Sequence, residues 1–123
     1  MKIAKKTILL VDDSPLILDR LIMMLKKLEC AGDIHSAQTF SAATQLLDTK
    51  TVDIALFDIH LHDKSGIDLL RETREQHPAV VVIVLTNQAD EQVEQTCKKL
   101  GARYFLDKSK DFAQVPRIIA SLE

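Results

Sequence analysis

Five short apolar runs divide the chain, at residues 7–11, 33–37 (weaker than the rest), 52–57, 80–85 and 103–106. Several are continuous rather than alternating, as in strands buried on both faces. The segments between them repeat apolar residues at helical spacing. Ile17, Leu21, Met24, Leu25 and Leu28 mark a first helix, with Ser14 and Pro15 as N-cap and first-turn residue. Phe40, Ala43 and Leu47 mark a second, beginning near Thr39. Ile67, Leu70 and Thr73 mark a third, which should stop before Pro78. Ala89, Val93, Thr96, Cys97 and Leu100 mark a fourth, closed by Gly101. Phe112, Val115, Ile118, Ile119 and Leu122 mark a fifth, with Pro116 in or just past its first turn.

A strand–helix unit repeated five times, without Asn-Gly or Asp-Gly hairpin turns, predicts parallel strands joined by right-handed helical crossovers. The expected fold is an α/β, doubly wound five-stranded parallel sheet of order 2-1-3-4-5, forming a single domain over residues 1–123. Ligands of such sheets bind beyond the carboxyl ends of the strands, where the order reverses between strands 1 and 3.

Composition narrows the function. Sixteen Lys and Arg against eighteen Asp and Glu leave a net charge of −2, which argues against a chain-wide grip on nucleic acid. Aromatic residues are only 4% and Trp is absent, so no stacking platform for bases is expected. The longest apolar run, 79–85, is strand-sized, so no membrane span and a cytoplasmic location are expected. Cys30 and Cys97 lack metal-type spacing and are expected as reduced, small hydrophobic residues. The first helix is unusually apolar, with Ile22 and Met23 extending beyond a core stripe.

The candidate chemistry stands at the ends of the predicted strands. Asp12 and Asp13 follow the first, Asp58 the third, Thr86 the fourth, and Lys108 lies just past the fifth. The fold brings all of them to one edge. Three converging carboxylates repel one another, and a divalent cation with oxygen ligands, Mg2+, would relieve that repulsion. An aspartate carboxylate can attack phosphorus, and a metal with a lysine would neutralise the transferring phosphoryl group. The residues therefore point to Mg2+-assisted phosphoryl transfer onto a central carboxylate. A phosphohydrolase with an aspartate nucleophile would place a second aspartate two residues on, where this chain has His60. A flavodoxin-type cofactor site would need a phosphate loop where Asp12 and Asp13 stand.

This set resembles the receiver domain of bacterial two-component response regulators, a flavodoxin-like (βα)5 fold. The resemblance rests on Leu10-Val11-Asp12-Asp13-Ser14, on Phe57-Asp58-Ile59-His60-Leu61 with Gly66 downstream, on Leu85-Thr86, and on Gly101 through Lys108. It implies that Asp58 is the phosphoacceptor and that Asp12, Asp13, Asp58 and the His60 backbone carbonyl hold Mg2+. Thr86 and Lys108 would sense the phosphoryl group, and Phe105 would be the switch aromatic. The implied partners are a histidine kinase or a histidine phosphotransfer protein as donor and a downstream protein target. Target binding would use the face of the fourth helix, fifth strand and fifth helix, and this face or the first helix would serve a homodimer. No direct nucleic-acid contact is expected. Such a domain is not an enzyme in the ordinary sense, since it promotes only its own phosphorylation and dephosphorylation. The alternative is a constitutive protein-interaction module without a phosphoryl cycle. The sequence departs from the family pattern at Ser109 and His62, where Pro is usual, and at Asn87, where a small residue is common.

Overall fold

The structure, a computed structural model, describes residues 4–122. Five parallel strands, β1 (Lys6–Val11), β2 (Ala31–Ala37), β3 (Ile54–Phe57), β4 (Val81–Thr86) and β5 (Ala102–Asp107), form one sheet of order β2-β1-β3-β4-β5. They alternate with α1 (Pro15–Leu25), α2 (Phe40–Thr49), α3 (Gly66–Gln76) and α4 (Glu91–Lys99), and the chain closes with α5 (Lys108–Asp111), a 3-10 turn (Phe112–Gln114) and α6 (Val115–Ser121). The expected α/β topology and strand order are those observed.

Period-two alternation along continuous apolar strands builds two cores. Leu9, Val11, Ala55, Phe57, Val82 and Val84 face α2, α3 and α4, meeting Ala43, Leu47, Leu69, Leu70 and Cys97. Ile8, Leu10, Ile54, Leu56, Ile83 and Leu85 face the other way, meeting Leu18, Leu21 and Leu25 of α1 and Val115 and Ile119 of α6. Both faces of β3 and β4 are covered, so these strands carry no polar stripe, whereas the edge strand β2 exposes Asp33 and Ser36. No helix among the described residues is long and apolar enough to cross a membrane.

The caps follow the sequence signals. Ser14 accepts from Ile17 N and Thr39 from Ala42 N, at the starts of α1 and α2. Gly101 sits at φ +103 after α4, in the left-handed region where a Cβ is strained. Three helices differ from expectation. The fourth starts at Glu91 with Asp90 as its N-cap, the Asp90 side chain accepting from Val93 N, so Ala89 lies in the preceding loop. The first stops at Leu25, and Leu28 N turns back to Leu25 O at 3.0 Å, so Leu28 packs from a turn rather than a helix. The fifth is not continuous. Pro116, in the first turn of α6, lacks an N–H and its ring would crowd the carbonyl four residues back, so the preceding turn tightens to 3-10 geometry.

A bulge fixes the last strand. Val82 pairs with Ala102 but Ile83 pairs with Tyr104, so Arg103 is an extra residue. Tyr104 then packs against the α1–α6 core and Phe105 against the α2–α4 core, both half-buried. Each aromatic thus has an inward contact, on opposite faces of the sheet.

Candidate phosphoryl-transfer site

The two central strands deliver two carboxylates side by side. Asp12 N donates to Ala37 O (3.1 Å) and Asp58 N to Val11 O (2.9 Å), so each aspartate extends its sheet ladder by one bond and enters the edge in fixed register. Both side chains are buried. Asp13, one residue on, is half-buried, and Asp12, Asp13 and Asp58 each offer an oxygen within 4.8 Å of the others.

Lys108 answers this charge. Its Nζ lies 2.6 Å from Asp12 Oδ2 and 3.0 Å from Asp58 Oδ2, with little of its side chain exposed. Burial alone would lower the lysine pKa; the hydrogen bonds to Asp12 and Asp58 outweigh it and hold the ammonium above its ordinary range. Burial pushes the Asp12 carboxyl up, against the opposing bonds from Lys108 and from Ser14 N, which lies 2.9 Å from Oδ1. Asp58 Oδ1 is left buried with no hydrogen-bond partner.

Lys108 is held by a device that the sequence analysis did not identify. It is the first residue of α5, and Asp107 is the N-cap, accepting from Ser109 N (2.8 Å) and Ser109 Oγ (2.6 Å). Asp111 returns a carboxylate to Asp107 N at 2.9 Å. This reciprocal arrangement resembles a capping box. Ser109, where the family usually has Pro, supplies an N–H that proline lacks; every described peptide bond is trans. The Asp-Lys-Ser-Lys-Asp run was the available signal.

Thr86 ends β4, fully buried, and its Oγ accepts from Gln88 N at 3.1 Å. Phe105 lies one strand away, in register with Val84. The His60 side chain is exposed. His62 is also exposed, with Nε2 3.9 Å from Asp13 Oδ2 at the mouth of the site. The edge therefore gathers Asp12, Asp13, Asp58 and Lys108 into direct proximity and sets Thr86 at the neighbouring strand end with its hydroxyl turned to its own loop.

Gly66, the first residue of α3, sits against the backbone of Asp58. A Cβ there would overlap the Asp58 carbonyl oxygen and lie 2.8 Å from both Asp58 C and Ile59 Cα. Gly66 N donates to Ile59 O at 2.6 Å, closing the base of the loop that follows the central aspartate.

The donor set is all oxygen, carries three carboxylates against one lysine, and includes an orphaned buried oxygen. It fits a hard divalent cation such as Mg2+ better than a softer metal, which would favour nitrogen or sulfur ligands.

Comparison with known proteins agrees with this geometry. A family model described as "Response regulator receiver domain" matches residues 8–120. The response regulator protein PilR of Pseudomonas aeruginosa is 30% identical over 118 residues, which cover 96% of this chain and 26% of PilR, so the chain spans about a quarter of that relative. The signal receiver domain of an HD domain-containing protein from Pseudomonas fluorescens Pf-5 superimposes with a TM-score of 0.83 at 30% identity, covering 94% of this chain and 90% of the other. A CheY-like response regulator receiver domain protein from Methanospirillum hungatei JF-1 superimposes at 0.86 with 27% identity, covering 94% and 91%. With its sheet order, its acidic edge and nearly its whole length accounted for, the chain belongs to the response regulator receiver domain family.

Proposed function

We propose that the domain accepts a phosphoryl group on Asp58 from the phosphohistidine of a histidine kinase or a histidine phosphotransfer protein. The observation that carries this is the Asp58 carboxylate itself: Oδ2 is paired with Lys108, buried Oδ1 has no partner, and the group adjoins two more carboxylates. Asp12, Asp13, Asp58 and the His60 backbone carbonyl would hold Mg2+. Bound there, Mg2+ supplies charge neutralisation for phosphoryl oxygens as they approach an acidic edge.

In the transfer, a carboxylate oxygen of Asp58 forms the new bond to phosphorus while the bond from phosphorus to the donor imidazole breaks. The imidazole leaves with that electron pair and takes up a proton. Lys108, already between Asp12 and Asp58, keeps its positive charge at the acceptor and can turn to the incoming oxygens. The product adds roughly −1.5 to −2 charge and new acceptor oxygens. Thr86 would exchange its bond to Gln88 N for one of them, and Phe105 would follow into the space vacated, reshaping the face made by α4, β5 and α6. The phosphoryl group shifts that equilibrium only by what it gains differentially from Thr86 and Lys108.

Leu16 and Met23, 68% and 64% exposed, stand seven residues apart on α1 and thus on one face of that helix. They supply an apolar surface for the phosphodonor. Intact-mass spectrometry with Mg2+ and acetyl phosphate, and separately with a competent phosphotransfer protein, tests the proposal. One added phosphoryl group is expected, lost with EDTA and lost in Asp58→Asn. No addition from either donor would leave the constitutive interaction module as the function.

A further inference from the structure

Asp63 lies at the tip of the loop between β3 and α3, and it is bound to a different helix. Its Oδ1 accepts from Phe40 N at 2.8 Å, and Oδ2 accepts from Ser41 N at 3.0 Å and Ser41 Oγ at 3.1 Å. These are first-turn groups of α2, donors that a helix cannot satisfy internally. Thr39 provides for the next two: its Oγ accepts from Ala42 N at 3.1 Å and its carbonyl from Ala43 N at 3.0 Å. The start of α2 is therefore capped half by its own N-cap and half by a residue from another loop. The hydrogen bonds, that from Phe40 N above all, hold the Asp63 carboxyl at about 2.

The neighbours reinforce the link. Lys64 Nζ sits 4.7 Å from the centre of the Phe40 ring, and Leu61 packs against the core on the α2 side. Gly66 N to Ile59 O closes the loop at its base. Between base and tip lies His60, whose carbonyl is the fourth ligand in the metal site proposed above; the loop begins directly after Asp58.

We infer that Asp63 is a positioning residue for the site: by capping α2 from the β3–α3 loop, it holds the His60 carbonyl and the Asp58 backbone in the geometry that binds the metal ion and accepts the phosphoryl group. This inference rests on the phosphoacceptor function proposed above. It makes α2, which contributes no side chain to the acidic edge, a support of that edge. Partners that orient metal ligands typically contribute tenfold to a hundredfold in metal affinity. Asp63 acts at one remove, through the loop, so about tenfold is expected.

The test compares wild type with Asp63→Ala, Asp63→Asn and Thr39→Ala. The measurements are the Mg2+ Kd from amide shifts, hydrogen exchange of the 60–66 amides in metal-free protein, and the unfolding midpoint. Asp63→Ala should raise the Kd about tenfold and speed exchange at Gly66 without metal. Asp63→Asn keeps acceptor oxygen and should recover part of both. Thr39→Ala removes the local half of the same cap, so it should lower the midpoint while leaving Kd and loop exchange at wild-type values. If Asp63→Ala left Kd and exchange unchanged, or if Thr39→Ala raised Kd equally, Asp63 would be only a stabiliser of α2 and the inference would fall. A wild-type protein that bound no Mg2+ or took no phosphoryl group on Asp58 would instead overturn the phosphoacceptor function.

Discussion

Gly66→Ala is the substitution for which two physical effects predict opposite signs. Gly66 has no left-handed φ, and it is the first residue of an α-helix. On helix propensity alone, alanine would stabilise by up to about 1 kcal/mol, and less at this terminal position. The space says otherwise. The added Cβ meets Asp58 C and Ile59 Cα at 2.8 Å, whereas ordinary contact begins at 3.4 Å, so two backbone atoms must retreat by at least 3.4 − 2.8 = 0.6 Å, and the Asp58 carbonyl oxygen by more. Overpacking costs roughly 1–3 kcal/mol, and the upper end applies where the obstacle is backbone that has no alternative rotamer. About 2 kcal/mol of net destabilisation remains. With an unfolding entropy of about 2.1 cal/mol/K per residue, the 123 residues give about 260 cal/mol/K, and Tm should fall by about 8 °C. The retreating carbonyl belongs to the proposed acceptor, so the Mg2+-dependent rise in Tm should shrink as well. Thermal unfolding followed by circular dichroism, with and without Mg2+, reads both. A Tm equal to or above wild type would show that the α3 start yields freely, and would refute the claim that Gly66 is there for want of space.

Asp13→Asn should leave the metal-free protein as stable as wild type or more stable by about 1 kcal/mol, since it relieves like-charge repulsion in a half-exposed group, while abolishing stabilisation by Mg2+; a melt that still rises with Mg2+ would exclude Asp13 from the donor set. Leu21→Ala should cost about 2–5 kcal/mol because the side chain is buried under the sheet, while Met23→Ala, two residues on but exposed, should stay within about 0.5 kcal/mol; urea titration of both separates the core stripe of α1 from its free face, and equal losses would refute that division. Asp63, depressed from an ordinary 3.8 to about 2, should remain ionised down to about that pH. Because its folded pKa lies below the unfolded one, its contribution is full above about pH 4 and is lost as pH falls toward 2. Carboxylate-detected NMR gives the value directly, and a titration near 3.8 would mean that the cap on Phe40 and Ser41 is not formed.

What the sequence disclosed depended on how local the cause was. Strand order followed from alternation of elements, and the two-faced core from continuous apolar runs such as 80–85. Ser14 and Thr39 cap helices through bonds spanning three residues and Gly101 through its own backbone, so their positions could be read in a line. The convergence of Asp12, Asp13, Asp58 and Lys108 is long-range, yet it was legible because parallel topology sends every strand end to the same edge. Asp63 was not: its partners lie 22 and 23 residues earlier, and nothing in the run His62-Asp63-Lys64 indicates which helix it caps. The division of labour between Tyr104 and Phe105 was hidden for another reason. Arg103 is bulged, and a single extra residue reverses the alternation that a regular strand would keep. The break before α6 arises from Pro116 acting on the turn that precedes it, which periodicity alone smooths over.

The polar groups of this fold show where stability was given up. Among the described residues, buried side-chain nitrogen and oxygen atoms find hydrogen-bond partners with one exception, Asp58 Oδ1. Leaving such an acceptor unpaired costs about 1–3 kcal/mol, and here its carboxylate lies beside two further carboxylates, with one lysine bridging Asp12 and Asp58. A domain selected for stability alone could replace Asp58 by a leucine and lose nothing that its two cores require, since both lie beneath the edge rather than in it. Lys108 does not remove the cost: it takes Oδ2 of Asp58 and Oδ2 of Asp12, and leaves the remaining oxygen open. An unpaired, buried, anionic oxygen held in register by its own β-ladder bond is poor structural material but well suited to accept an electrophile. Asp58 is fixed from three sides, by Val11 O on its amide, Lys108 on Oδ2 and Gly66 against its carbonyl, while Oδ1, the oxygen that the proposed transfer would use, is the one that nothing holds.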